Sequence, residues 1–476
     1  MISNRKQRIK YIVWDYIFSN LSWFLFSAIR YFLSEQIATE HGFSSFFSFM
    51  TSHYVLLGQA LFPIVMMFIF HLSGYYNQVF QKSRLHEIVT TFITTFINSI
   101  VIYFIALIDD NIQDKLFNYE LILILWGIQF TLIYIARYAI TSHALKLIYK
   151  GKLQFNILII GNSNKAHNMV KKLQSAYKHN GYNIVGYLSI SDEKISRAKT
   201  YKPTYQLDEI QQVCTEHNVT ELHFFPSENK KTHLLKILNT LFPLNLPIKS
   251  SPDMYNILVS KGRIATLYGE PLIDISGSNL SASSANIKRL SDIIVSLFAL
   301  ILLSPLLLII SVMIKRDSKG SVFYKQKRVG LRMKPFSIYK FRSMRMDAEG
   351  DGTPMLSSEN DERITKIGRW LRKYRLDEIP QFFNVLRGDM SLVGARPERE
   401  YYINQIMPQA PYYTLLFQVR PGITSMGMVK FGYASNVEQM IERSKYDILY
   451  LENMSLLNDL KILIYTIKTV ITGKGI

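Results

Sequence analysis

A single cysteine, Cys214, in 476 residues leaves this chain with no possible intramolecular disulfide and no ligands for a cysteine-based metal cluster. That composition suits reducing surroundings. Acidic residues are also scarce: 36 Asp and Glu stand against 55 Lys and Arg, a formal net charge of +19. A surplus of that size calls for anionic partners, whether nucleic acid, nucleotide phosphates or anionic lipid. Two further absences exclude an activity. The loop after the apolar run FNILII reads Gly161-Asn-Ser-Asn-Lys-Ala166, without the second and third glycines of a dinucleotide fingerprint, and none of the 29 tyrosines has a lysine four positions on. A membrane-anchored nucleotide-sugar dehydratase or epimerase needs those glycines for close pyrophosphate approach, and a Tyr-x-x-x-Lys pair to move protons and hydride.

What the chain does have is length in apolar runs. Four of them, at 11–33, 53–72, 88–108 and 119–139, reach the roughly 20 residues that a helix needs to cross a bilayer. Backbone amides in hydrocarbon must be paired internally, so runs this long predict helices. Arg5, Lys6, Arg8 and Lys10 precede the first run as in a signal peptide, but its length, the lack of a small-residue cleavage site and the spans that follow predict an anchor. The connection through Glu35, Glu40 and His41 holds no Lys or Arg; the next holds Lys82 and Arg84, the third mostly aspartates, and Arg137 closes the fourth run with Lys146, Lys150 and Lys152 after it. That alternation places the N-terminus, the 82–84 loop and everything after 146 in the cytoplasm. Asp15 and Arg30 in the first run suit either a polar relay or, more commonly, helix pairing and snorkelling.

A fifth apolar run, 290–314, has Lys288-Arg289 before it, Lys315-Arg316 after it and Ser304-Pro305 in its middle. Proline removes a donor and bends a helix. Cytoplasmic charge on both flanks predicts a re-entrant helix that dips in and returns, with a proline-kinked span as the alternative. Between the spans, Phe155–Ile160, Ile184–Leu188 and Leu222–Phe225 read as strands separated by helical patterns, a small α/β domain. Without its glycines, a regulatory or scaffolding role suits this domain better than nucleotide binding. Ser276–Asn286 has the composition of a linker.

The C-terminal part carries the chemistry. Residues 322–345 interleave eight Lys or Arg with aromatics, which beside a membrane favours lipid head groups and nucleotide phosphates over nucleic acid. Lys340 and Arg342 are the better site candidates, on a short alternating run. Ile364, Ile367, Trp370, Leu371 and Tyr374 recur at helical spacing among cations, which fits an interfacial helix or a core-packed one equally. Asp377-Glu378 follows. A helix cap explains the pair on its own, with Pro380 in the first turn. It does not explain the company of Asp389, Arg396-Pro397 and Arg420-Pro-Gly-Ile-Thr424. A carboxylate can act as nucleophile in phosphoryl transfer, and a second can hold Mg2+, which prefers hard oxygen ligands.

Several motifs occur in a fixed order: Lys288-Arg289, Ser304-Pro305, Val322-Phe-Tyr, Gln326-Lys-Arg-Val-Gly330, Lys340-Phe-Arg-Ser-Met344 and Arg363-Ile-Thr365. Leu376-Asp-Glu-Ile-Pro380, Asn384-Val-Leu, Gly388-Asp-Met-Ser391, Arg396-Pro397 and Pro421-Gly-Ile-Thr424 complete the series. Over 287–476 the chain resembles the bacterial sugar transferase family, the monotopic phosphoglycosyl transferases. As a whole it resembles the large polyprenyl glycosylphosphotransferases that begin exopolysaccharide, capsule or O-antigen units.

The resemblance implies a membrane α-helical N-terminal bundle over 1–150, an α/β Rossmann-like domain over 151–275, a linker over 276–286, and an α+β catalytic domain over 287–476 anchored by the re-entrant helix. It implies that Asp377 attacks the β-phosphate of a UDP-sugar and expels UMP, that the phosphosugar passes to undecaprenyl phosphate, and that Glu378 binds Mg2+. Arg396 would contact phosphate, with Lys340, Arg342, Arg363 and Asp389 as further phosphate or nucleotide ligands and Ser304-Pro305 as the membrane kink. A homodimer, an anionic lipid surface and no nucleic acid complete the expected partners. Glucose 1-phosphate comes first among sugars by analogy with the larger members. Two positions depart from the family pattern: Ala395 stands where proline is usual, and Ser425 where glycine is common. The rival reading is a non-catalytic membrane scaffold that recruits polysaccharide-assembly enzymes, with the acidic pair as a helix cap.

Overall fold

The computed structural model describes residues 4–33, 45–77, 84–107, 115–161, 164–175, 181–189, 202–225, 237–244, 246–250, 273–274, 280–346, 348, 355 and 361–471. The chain forms two compact units. One comprises Met1–Phe155 with Leu173–Asn183 and Ser281–Asn286; the other comprises Asn156–Lys172, Ile184–Leu280 and Ile287–Ile476.

The first unit is built on four helices: α1 (Asn4–Leu33), α2 (His53–Leu72), α3 (Arg84–Ile102) and α4 (Lys115–Tyr149). Stretches at Arg5–Leu33, His53–Leu72, Arg84–Ile105 and Glu120–Tyr149 are long and apolar enough to cross a membrane, matching the four expected runs. Large apolar side chains such as Leu57, Ile64, Phe68 and Leu123 point outward, as they do where the surroundings are as apolar as the core. The loops whose charges predict orientation, at 34–44, 78–83 and 108–114, lie outside the described residues.

Polar groups hold the inside of this bundle. Arg137 on α4 is fully buried and donates to both carboxylate oxygens of Asp15 on α1, at 3.0 and 2.7 Å, and to Thr91 Oγ1 on α3 at 2.9 Å. Its guanidinium lies 3.7 Å from the ring centre of Phe70 and 3.6 Å from that of Tyr75. Tyr76 donates to Asp15, while Tyr75 and Thr141 donate to Glu87. Of the two readings open for Asp15, helix pairing is the one observed.

A six-stranded sheet carries strands β1 (Phe155–Ile160), β2 (Tyr182–Leu188), β3 (Thr204–Tyr205), β4 (Glu221–Phe224), β5 (Ile248–Ser250) and β6 (Ile273–Asp274), in the order β3-β2-β1-β4-β5-β6. The pairs β1–β4, β4–β5 and β2–β3 are parallel and β5–β6 is antiparallel. Leu158, Ile160, Leu188, Leu222 and Ile248 fill its core. β1 reads as a continuous apolar run because a strand covered on both faces has no polar side. Asn162 and Ser163 of the glycine-poor loop lie outside the described residues, as does most of the 276–286 stretch before Ala282, where a helix begins.

That helix, α5 (Ala282–Leu302), meets α6 (Ser304–Asp317) at a 61° bend. Pro305 sits in the first turn of α6, where its missing N–H costs nothing, and Ser304 Oγ donates back to the Ile301 carbonyl at 2.8 Å. Lys288, whose charge predicts a cytoplasmic flank, does not reach solvent. It is 9 % exposed and donates to Asp459 Oδ2 at 2.6 Å and to the Val393 carbonyl at 3.1 Å.

The basic 322–345 stretch forms an antiparallel hairpin, β7 (Phe323–Val329) with β8 (Pro335–Phe341). There follow α7 (Lys366–Lys373), α8 (Gln381–Arg387), β9 (Ser391–Val393), α9 (Glu400–Gln409), β10 (Gly422–Thr424) paired parallel to β9, α10 (Val437–Glu452) and α11 (Leu456–Ile471). α7 does some of both things its pattern allows. Leu371 is buried against Ile310, Ile314 and Phe341, while Trp370 faces out.

Candidate active site

The acidic pair sits on a single 3-10 turn, Leu376–Glu378, between α7 and α8. α7 starts with Thr365, whose Oγ1 accepts from Gly368 N at 3.0 Å. Gly368 is needed for closeness: a Cβ there would sit 1.9 Å from the Ser343 carbonyl oxygen, on the strand exit that lines the site. Gly368→Ala is expected to destabilise the second unit by about 1–3 kcal/mol through overpacking, read as a lower denaturation midpoint of the full chain in detergent. Arg375 then turns the chain with φ 53°, a left-handed conformation that costs a non-glycine residue on the order of 1 kcal/mol. On the far side of the turn, α8 ends at Gly388 in the left-handed region, φ 98°.

Both carboxylates are buried, each 7 % exposed, yet they are treated differently. Glu378 is surrounded by cations. Lys340 Nζ from β8 lies 3.0 Å from Oε1, Arg396 Nη2 lies 3.1 Å from the same oxygen, and Arg375 Nε lies 3.4 Å from Oε2. Burial pushes this carboxyl up, but Lys340, Arg375 and Arg396 together hold it well below the usual carboxylate range. Asp377 takes no hydrogen bond or ion pair among the described residues, and no side chain caps α8. The helix-cap account of the pair therefore fails. Burial, reinforced by the neighbouring Glu378 charge and opposed by Lys340, raises the Asp377 carboxyl above its ordinary value.

Asp377 opens into a cavity of about 480 Å³, within the range typical of small-molecule sites. Its lining is strongly basic: Lys325, Arg328, Lys340, Arg363, Arg372, Arg396 and Arg399 contribute, with Asp377 and Glu398 as its acids. A smaller pocket of about 90 Å³ adjoins Asp377 as well, and takes in Glu378, Arg375, Met428, Gly432 and Tyr433. The wall is buttressed from behind. Glu398 binds Arg328 at 3.1 Å through Oε2 and Arg443 through Oε1. Burial pushes Asp447 up to about 6, against the hydrogen bond it accepts from Gly427 N at 2.7 Å.

Of the residues singled out in the sequence, Asp377, Lys340, Arg342, Arg363 and Arg396 line the larger cavity, and Glu378 the smaller. Arg342 also closes the end of α6, donating to the Ser318 and Lys319 carbonyls at 2.7 and 2.9 Å. Arg363 is held by Asp361 at 2.6 Å. Asp389 lines neither cavity; its carboxylate faces Arg387 at 3.6 Å. Ser304 and Pro305 lie at the bend between α5 and α6. Arg372, Arg375, Glu398, Tyr433 and Arg443 escaped sequence reasoning. The periodic cations of α7 already contained Arg372, but nothing in the sequence separates it from its neighbours.

Residues 283–473, which hold this whole site, match the family described as Bacterial sugar transferase. The undecaprenyl-phosphate galactose phosphotransferase of Salmonella typhimurium is 30 % identical over 361 residues, 71 % of this chain and 72 % of its own length. The chain belongs to the bacterial sugar transferase family. Two other members are more similar over shorter stretches. The UDP-N-acetylgalactosamine-undecaprenyl-phosphate N-acetylgalactosaminephosphotransferase of Aeromonas hydrophila is 38 % identical over 231 residues, 48 % of this chain and 54 % of its own. The UDP-glucose:undecaprenyl-phosphate glucose-1-phosphate transferase of Klebsiella pneumoniae is 40 % identical over 218 residues, 45 % of this chain and 47 % of its own. The chain thus spans about half the length of these last two relatives. The names of the three bacterial sugar transferases carry three different sugars.

Proposed function

We propose that this bacterial sugar transferase moves a sugar 1-phosphate from a UDP-sugar to undecaprenyl phosphate and releases UMP, the first step of an exopolysaccharide, capsule or O-antigen unit. The observation that carries the reading is the uncommitted Asp377 carboxylate, buried in the wall of a basic cavity beside a carboxylate pinned by three cations. A carboxylate oxygen of Asp377 attacks the β-phosphorus, the bond to the bridging oxygen breaks, and UMP leaves with that electron pair. An oxygen of undecaprenyl phosphate then attacks the same phosphorus and the Asp377 carboxylate is released. No net proton is consumed. Lys340, Arg372 and Arg396 neutralise the phosphate oxygens as charge shifts between them.

Glu378 suits Mg2+ as a hard, ionised oxygen donor. Among the described residues no group of three metal-ligating side chains gathers, which is compatible with a cation that takes one or two carboxylates and completes its shell with water and substrate phosphates. When bound there, Mg2+ would supply charge neutralisation on the diphosphate. The α5–α6 pair with its 61° bend suits a re-entrant anchor or a broken span, and the basic residues on both flanks favour the re-entrant form. The four long helices support a location in the bacterial cytoplasmic membrane, and the alternating loop charges favour a catalytic part on the cytoplasmic face, where anionic lipid would meet its basic surface. The β3-β2-β1-β4-β5-β6 order suits a Rossmann-like sheet with an antiparallel last pair, and the missing glycines favour a regulatory or scaffolding role for it. Glucose is the first sugar to test.

Purified protein given UDP-sugar and Mg2+ without lipid acceptor is expected to release about one UMP per active site and then stop. Continued release under those conditions is incompatible with a covalent phosphosugar on Asp377. A panel of UDP-glucose, UDP-galactose and their N-acetylated counterparts, assayed with acceptor present, identifies the sugar.

A further inference from the structure

We propose that Arg375 is a positioning residue: it holds Glu378 in place while the other two cations on that carboxylate are drawn to substrate phosphates. The inference rests on the function proposed above. The three cations on Glu378 are not equivalent. Lys340 and Arg396 share one oxygen, Oε1, and both also line the cavity of about 480 Å³. Arg375 meets the other oxygen, Oε2, and lines only the smaller pocket. A diphosphate in the larger cavity presents its oxygens to Lys340 and Arg396, and each contact made there competes with Glu378 Oε1. Arg375 stands outside that competition.

The backbone points the same way. With φ 53°, position 375 needs a left-handed residue, which glycine supplies without strain. The left-handed backbone at 375 does not itself require an arginine side chain. That side chain goes to Glu378 and packs with Nη2 3.9 Å from Met428 Sδ. Backbone strain at this residue is therefore offset by a contact to the catalytic turn.

Arg375→Gly separates the two roles, because it relieves the strain and removes the guanidinium. In the full chain in detergent or nanodiscs, with UDP-sugar, Mg2+ and undecaprenyl phosphate, the expected result is a thermal midpoint equal to or above wild type. kcat for UMP release should fall about 10- to 100-fold, as is usual when the group orienting a functional carboxylate is lost. KM for the UDP-sugar should change by less than ~3-fold, since Arg375 does not line the nucleotide cavity. Arg375→Lys should recover part of kcat. A glycine variant with wild-type kcat overturns the inference alone, and so does a loss that tracks a lowered midpoint without rescue by lysine. Wild-type protein that releases no UMP from any UDP-sugar overturns the functional reading, and this inference with it.

Discussion

Asp377→Asn protein is expected to reach the membrane, keep its fold and release no UMP, with turnover reduced on the order of 10⁴-fold or more. Asparagine matches aspartate in shape, so the buried turn need not rearrange. What disappears is the charge and, in the proposed mechanism, the oxygen nucleophile. The side chain is held by no cap and no ion pair among the described residues, so its replacement breaks no structural contact. The membrane scaffold, the rival reading of this chain, predicts the opposite: polysaccharide output in cells carrying the variant would be unchanged. Output and UMP release are therefore measured together. Loss of both at normal protein level supports catalysis; normal output with the variant refutes it.

The contrast between the two adjacent carboxylates is what makes that substitution informative. Residues 377 and 378 share one turn and the same degree of burial, yet three cations hold Glu378 and none is bonded to Asp377. Neutralising one of two neighbouring acids lets the other remain reactive, because two like charges this close raise each other's cost of ionisation. Glu378 is an anion tied by three cations, and Asp377 is left with no cation bonded to it among the described residues. That division of labour follows from residues brought together over distance: Lys340 from a hairpin, Arg396 beyond β9, and Arg375 from the turn itself.

Those distances also explain what was readable beforehand. The four membrane helices were legible because an apolar run of sufficient length is a local property. The strands at 155–160 and 184–188 were legible for the same reason. That Asp377, Glu378, Lys340 and Arg396 share one pocket was legible through ordered motifs. Arg375 was not, because a left-handed arginine has no sequence signal; the turn could as well have been drawn without it. Lys288 carries a flank charge whose partner, Asp459, the sequence does not reveal because it lies 171 positions away. Arg342 was read for phosphate, and its role at the end of α6 depends on where that helix stops. Asp389 earned attention by following a glycine, yet the turn that Gly388 makes carries it away from both cavities.

Arg137→Met is expected to lower the stability of the helical unit by about 3–5 kcal/mol, the usual cost of leaving one member of a buried ion pair alone. Arg137 is enclosed by aromatic rings on two sides and reaches Asp15 through two nitrogens, and the two side chains are only 0 % and 1 % exposed, so neither charge opens to the surroundings. Methionine fills much of the space between Phe70 and Tyr75 but leaves Asp15, among the described residues, with only the hydrogen bond from Tyr76. Sequence alone left open a polar relay through the bilayer, which would need a continuous path; the geometry instead closes Asp15 and Arg137 on each other. The measurement is an SDS titration of the full chain in detergent, followed by intrinsic tryptophan fluorescence. Arg137→Met should unfold at a lower SDS fraction, and Asp15→Asn combined with Arg137→Met should recover part of the loss, because the stranded charge is then gone. An unchanged midpoint for Arg137→Met would show that the pair contributes nothing net. Equal losses in the single and double variants would show that the packing of the arginine between its rings, not its charge, is what binds the helices.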